Sequence, residues 1–235
     1  MRVLTSASVF GWMLASLVGC AGDAEPSATC GHVALDRPLL VLESDLRGGS
    51  ALGVVGTDGC FVEVPAVELG RDPTLSEAHG RAFVCVRDQG VLFEVTASRD
   101  ESERLSPQIG DSIAASREGE AAPNPWDVDV APDGSLWIAR YDLDSIGIAG
   151  ASGAWIGEAS LAALADSDGL PEMSAIRVGS EQAFVAVERL DRASLYEPVG
   201  PGAIAAVDLS PPYAITRVIG LTGENPFGQM VAPQT

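Results

Sequence analysis

The sequence predicts an all-β chain, a β-propeller of about four blades, and three observations carry that expectation. From Pro38 onward, short runs of β-branched and apolar residues alternate with turns rich in Gly, Asp, Asn and Pro. Residues 80–96, 134–150 and 181–210 share one plan: a turn, a strand with an aromatic near its start, a polar loop, then a second apolar strand. The aromatics Phe83, Trp137 and Phe184 are spaced 54 and 47 residues apart. Asn124-Pro125-Trp126 returns 101 residues later as Asn225-Pro226-Phe227, with Pro171-Glu172-Met173 as a degenerate middle copy. A repeat of about 40–50 residues carrying four strands is the signature of propeller blades. One twisted four-stranded sheet cannot bury both its faces, so successive sheets stack around an axis and aromatics fill the gaps. On this reading Phe83, Trp137 and Phe184 are packing residues. A β-sandwich of regular strands is the alternative.

Ahead of the repeats, Arg2 is followed by an apolar run from Ala7 to Val18, broken only by Ser8 and Ser16. The run ends in Leu17-Val18-Gly19-Cys20. A positive start, a short apolar middle and small residues at a cut form a secretory signal, and the run is short for a bilayer core that needs about 20 residues. Residues 1–19 are therefore expected to be a signal peptide. Residues 20–37, small, polar and aperiodic, read as a tether, and residues 38–235 as the repeats. Within them Leu39-Leu40-Val41-Leu42 and Ala51-Leu52-Gly53-Val54-Val55 are strand runs. Ala82–Val86 and Val91–Val95 form a hairpin across Arg87-Asp88-Gln89-Gly90. Ser160–Ala165 is the one helix-like stretch, too short for an α/β unit.

Composition narrows the partners. The net charge is −19, and the loss of Arg2 with a leader makes it one unit more negative. Such a surface repels phosphate backbones, so nucleic acid is excluded as a partner. All 14 cations are arginine. Of the four cysteines, Cys30, Cys60 and Cys85 remain if Cys20 is modified, which allows one disulfide. Cys30–Cys60 is the expected pair, stapling the tether to the first repeats. A metal site on these cysteines with His32 or His79 lacks any CxxC pair.

Two resemblances follow from these residues. Leu17-Val18-Gly19-Cys20 resembles the lipobox of bacterial lipoproteins, which implies diacylation of Cys20, removal of residues 1–19 and attachment to a membrane through the lipid. Ala21 next to it, where an Asp would imply retention in the inner membrane, implies the outer membrane. The run from Asn124 to Gly134, with Leu136-Trp137 and Arg140-Tyr141 after it, resembles the repeat of YVTN- and NHL-like propellers in bacterial surface proteins. That resemblance covers about residues 124–230 well and 38–96 weakly. It implies fold more than function, because propellers host binding, scaffolding and catalysis alike. The tail 225–235 reads as the first strand of a further blade. Either it completes the first sheet or the repeat stops unfinished, as in a truncated copy.

Chemistry is sparse. Asp127 and Asp129 share one strand face, either as carboxylates ringing a channel mouth or as two surface acids beside the Asp133-Gly134 turn. Asp166-Ser167-Asp168-Gly169, with Glu172 close by, opens like a calcium loop but lacks the ligands and helices of an EF-hand. Asp100–Glu103 and Glu118–Glu120 read as solvated loops. No nucleophile elbow or HExxH motif is present. The sequence thus points to a lipid-anchored propeller that binds a protein or envelope polymer without catalysis and without a cofactor. A metal-dependent hydrolase of the lactonase type, with carboxylates round the central channel, is the alternative; Asp166, Asp168, Glu172 and Asp127 are the weak metal candidates, and calcium is the ion the Asp166–Gly169 loop would take. A degenerate gene product is the third. Replacing Cys20 by Ser is expected to move the protein from the membrane fraction to the soluble fraction and to remove an acyl mass; identical partitioning of parent and variant, with no acyl mass, overturns the anchor.

Overall fold

The computed structural model describes residues 2–4, 39–45, 49–55, 61–63, 68–99, 105–226, 228, 230 and 231. They form four four-stranded sheets in chain order. The first contains β1 (Arg2–Leu4), β2 (Leu39–Ser44), β3 (Ser50–Val55) and β4 (Phe61–Glu63). The second contains β5 (Thr74–Ala78), β6 (Arg81–Val86), β7 (Val91–Arg99) and β8 (Leu105–Ala114). The third contains β9 (Pro125–Val130), β10 (Leu136–Arg140), β11 (Ser145–Ala149) and β12 (Trp155–Ser160). The fourth contains β13 (Met173–Val178) and β14 (Gln182–Val187), then a small two-stranded insert of β15 (Leu190–Asp191) and β16 (Glu197–Pro198), and finally β17 (Pro201–Asp208) and β18 (Ile215–Glu224). Each of the last three sheets is an antiparallel meander, the strand order of a propeller blade. The expected helix-like stretch is a single 3-10 turn over Ala162–Leu164. Arg2–Leu4, read from sequence as part of a leader, lies parallel beside β2.

The sheets stack face to face in the order one to four. Their strands alternate sides, so each interface collects every second residue. Leu40, Leu52 and Val54 of the first sheet meet Leu75, Val84 and Val95 of the second. Phe83, Cys85 and Leu92 on the opposite side of the second sheet meet Val128, Leu136 and Ile138 of the third. Trp137, Ile146 and Ile148 of the third meet Ile176, Val185 and Val207 of the fourth. Full burial of such side chains stabilises by roughly 1.5–3 kcal/mol each. The aromatic marker of the repeat therefore has one job: each blade offers it to the next. Phe83 and Trp137 are wholly buried this way, as expected; Phe184 is only half-buried. Cys85, a free thiol, sits in the second interface, where burial pushes its pKa up to about 12 and keeps it protonated. Cys20, Cys30, Cys60 and His32 lie outside the described residues.

The repeat also shows in the backbone. Asn124, Glu172 and Asn225 all hold φ of 47°, each just before an inner strand or its sequence equivalent. Tyr141 N–H donates to the Asn124 carbonyl (3.0 Å), and Glu188 N–H to the Glu172 carbonyl (3.1 Å). Thr74 Oγ1 donates to the Trp126 carbonyl (2.6 Å), and Ser174 Oγ to the Pro226 carbonyl (3.3 Å). Asn225-Pro226 thus sits beside the fourth sheet in the way that Asn124-Pro125-Trp126 sits beside the second.

Asp127 and Asp129 correct the sequence reading: neither rings a channel mouth nor sits on the surface. Both are buried, at 3% and 1% exposure. Asp127 Oδ2 accepts from the Ile176 N–H (2.9 Å) and Asp129 Oδ2 from the Val178 N–H (2.7 Å), both on the inner strand of the fourth sheet. Asp127 Oδ1 accepts from Ser76 Oγ of the second sheet (2.6 Å). Two side chains of the third blade therefore tie three blades together. Burial pushes the Asp127 pKa up against the pull of Arg177 and of these donors. Replacing Asp127 by Ala is expected to cost about 3 kcal/mol in denaturant unfolding, because it orphans a buried N–H and a buried hydroxyl. Asp133→Ala, in an exposed turn, is expected to cost about 0.5 kcal/mol; equal small losses at both positions would refute the inter-blade role.

Candidate functional site

The inner strands β5, β9 and β13 begin at one end of the stack, and the second strand of each blade ends there. The second and third blades turn there over four residues, 87–90 and 141–144, whereas the fourth inserts residues 188–200 between β14 and β17. The chain from the third blade to the fourth, residues 161–172, crosses the same end. This end gathers most of the ionisable groups with shifted pKa values.

Three of the sequence-predicted residues meet here. One carboxylate oxygen from each of Asp166, Asp168 and Glu172 lies within 4.8 Å of the others. The local chain explains it: Asp166 Oδ1 accepts from the Asp168 N–H (3.1 Å) and Asp168 Oδ1 from the Leu170 N–H (2.9 Å), folding the loop back on itself. Gly169 turns it at φ +86°. Glu172 is fully buried; its Oε2 accepts from the Leu190 N–H (3.1 Å) and its Oε1 from Arg192 Nε (3.2 Å). Asp127, the fourth candidate ligand, belongs to the inter-blade ties instead.

Arg192, unremarked in the sequence, organises this cluster. Its Nε lies 3.6 Å from Asp168, one terminal nitrogen lies 2.8 Å from Asp142, and the other donates to the Tyr141 carbonyl at 3.0 Å. Its guanidinium also sits over the Tyr141 ring, 5.3 Å from the centroid. Tyr141 stacks on Trp126 with centroids 4.8 Å apart, and Arg87 lies 3.6 Å over the other ring system while donating to Asn124 Oδ1 at 2.8 Å. The Tyr141 hydroxyl donates to Glu188 Oε2 (3.2 Å), and burial pushes its pKa up. Glu188 is buried too, and its other oxygen, with Asp166 Oδ2, lacks a hydrogen-bond partner. The signal that marks this site in the sequence is the insert itself, which lengthens the third repeat unit.

The insert projects apolar groups. Asp191 caps its 3-10 turn, accepting from the Ala193 N–H (2.9 Å) and Ser194 Oγ (2.7 Å). Leu195 and Tyr196 follow at φ 59° and 63°, a left-handed conformation that β-carbons disfavour. Leu195 is 90% exposed, with Tyr196 and Val199 exposed beside it. Arg192, in the turn just before Leu195, ties this hairpin to the third blade through Asp142 and the Tyr141 carbonyl.

No protein-family model and no curated protein matches the chain. Among solved structures it is similar to Kuenenia stuttgartiensis hydrazine synthase (13% identity, 73% of this chain and 43% of that one, TM-score 0.48). It is also similar to virginiamycin B lyase from Staphylococcus aureus (12%, 80% and 56%, 0.47) and to the Dos1 propeller (9%, 80% and 47%, 0.47). The chain spans about half the length of these structures. The order and packing of its own four sheets define it as a protein of the β-propeller class.

The cluster can balance its own charge or hold a hard cation, and one titration separates the two. Burial pushes Glu172 up to about 7 from 4.5, against its bonds to Leu190 and Arg192. A raised carboxyl contributes stability that is full below about pH 4.5 and is lost as pH rises through 7, because the folded state holds the proton longer than the unfolded one. Glu172→Gln is expected to lack that loss, so its melting temperature should gain on the parent across this window. Calcium at micromolar concentration is expected to leave the melting temperature of the parent unchanged, since calcium takes 6–8 oxygens and Arg192 already sits against two of these carboxylates. A rise of many degrees would make the cluster a metal site.

Proposed function

We propose that this chain is a lipid-anchored β-propeller of a bacterial cell envelope, held to the outer membrane through Cys20. It binds a protein or an envelope polymer without catalysis, using the end that carries the 188–200 insert. The observation that carries this reading is the Leu195-Tyr196 tip. A large apolar pair at a fixed, exposed hairpin tip suits insertion into a partner's pocket, and its Arg192 mooring lowers the ordering cost on binding. The acidic surface favours a partner with cationic groups around that pocket. The lipobox resemblance supports the location, and the tether 20–37 supplies reach from the membrane.

The second reading is a metal-dependent hydrolase, favoured by the convergence of Asp166, Asp168 and Glu172 and by the near-neutral pKa of Glu172, a value suited to general acid–base work. The ion balance around Arg192 favours the first. A photoreactive residue at position 196, in membranes from the native host, is expected to yield an adduct that the same residue at position 180, in a turn at the opposite end, does not. Equal labelling at both positions, or none at 196, sinks the binding role of the insert.

A further inference from the structure

Phe83, Trp137 and Phe184 mark one repeat position, and the residues four places after them are Arg87, Tyr141 and Glu188. These equivalents form one chain of contacts at the insert end. Arg87 lies 3.6 Å over the Trp126 ring, Trp126 stacks on Tyr141 with the planes at 30°, and the Tyr141 hydroxyl donates to Glu188. Glu188 is the first residue of the insert, and Arg192 follows within it. Tyr141 therefore holds the root of the hairpin twice, through its hydroxyl to Glu188 and through its carbonyl and ring to Arg192. Trp126 and Tyr141 belong to none of the three apolar interfaces between the sheets, so their stacking does something other than fill a gap between blades.

We infer that Trp126 and Arg87 are positioning residues for the insert. Standing on the third and second blades, they fix the Tyr141 ring, and through it the direction in which the hairpin carrying Leu195 and Tyr196 leaves the fourth blade. The use of that direction rests on the proposed binding role of the tip; the link itself rests on contacts. Both positioning residues are anchored at their own ends. Arg87 opens a four-residue turn and is held by Asp72 and by Asn124 Oδ1, while the Tyr141 N–H donates to the Asn124 carbonyl. The chemistry suits the task, because stacked rings and a guanidinium over an indole prefer particular geometries, whereas aliphatic burial is non-directional.

Amide hydrogen exchange of the full chain, read by mass spectrometry, tests this without any partner. Within the insert the N–H groups of Leu190, Tyr196 and Val199 are bonded, to Glu172 Oε2, the Asp191 carbonyl and the Arg189 carbonyl. Trp126→Ala is expected to speed exchange in residues 188–200 by about tenfold, the worth of an aromatic pair. It is expected to leave β17 of the same sheet unchanged. Trp126→Phe, the residue that the repeat itself carries at position 227, is expected to restore most of the protection. Arg87→Lys keeps a charge beside Asp72 but loses the planar stack, and is expected to speed exchange in the insert by about threefold. Should Trp126→Ala not fold, Arg87→Lys alone decides. Unchanged exchange in the insert overturns the inference, as does an equal acceleration in β17, which makes the stack a general support. The photoreactive residue at position 196 is read separately: a parent chain that yields no adduct there sinks the binding role and leaves the exchange result standing.

Discussion

The innermost strand of a blade poses a problem that the rest of this structure depends on solving. It pairs on one side only, so every second N–H points toward the axis with no strand to receive it. Asp127 and Asp129 answer this for the fourth blade by reaching across from the third and accepting from Ile176 and Val178. The same Asp127 carboxylate holds Ser76 of the second blade. Hydrophobic burial drives the sheets together without direction; these bonds set how one inner strand lies along the next. They are also expensive to break, because each partner is buried and has no water to turn to.

Arginine takes the corresponding part at the blade ends. Arg140 is wholly buried, yet its guanidinium meets Glu120 (2.8 Å), Glu158 (3.3 Å), the Ser145 carbonyl (2.8 Å) and the Ser145 hydroxyl. Glu120 is therefore an ion-pair partner rather than the solvated loop residue its neighbours suggest. Arg192 does the same for the insert, joining Asp142, Asp168, Glu172 and the Tyr141 carbonyl. A planar fork with several donors can satisfy carboxylates and carbonyls together, whereas a lysine ammonium is a compact point charge. A chain whose 14 cations are all arginine has the means for such multi-partner contacts.

The aromatic and ionic networks meet at one end of the stack. Trp126, Tyr141 and Arg87 stack beside Glu188, and the third and fourth blades meet at Glu172. The insert rises from the same place with an apolar tip. The opposite end carries short turns, such as Asp133-Gly134, where Asp133 accepts from the Ser135 N–H at 2.9 Å. The asymmetry is physical: a tight turn only reverses the chain, whereas a 13-residue insert can present side chains beyond the sheet edges.

Local periodicity was enough to reveal the strands, the hairpin across residues 87–90, the blade repeat and the packing role of Phe83 and Trp137. These follow from alternation and turn chemistry, which act over a few residues. It also grouped Asp166, Asp168 and Glu172, because seven residues of loop keep them close. What Asp127 and Asp129 do lay beyond its reach, since their partners stand about 50 residues away on the next blade. The same holds for Arg192 with Tyr141, and for the difference between a covered Trp137 and a half-covered Phe184. The sequence determines which residues a blade turns to each side; only the stacking of one blade on another decides which of them meet a partner, because burial and hydrogen bonding are properties of the pair.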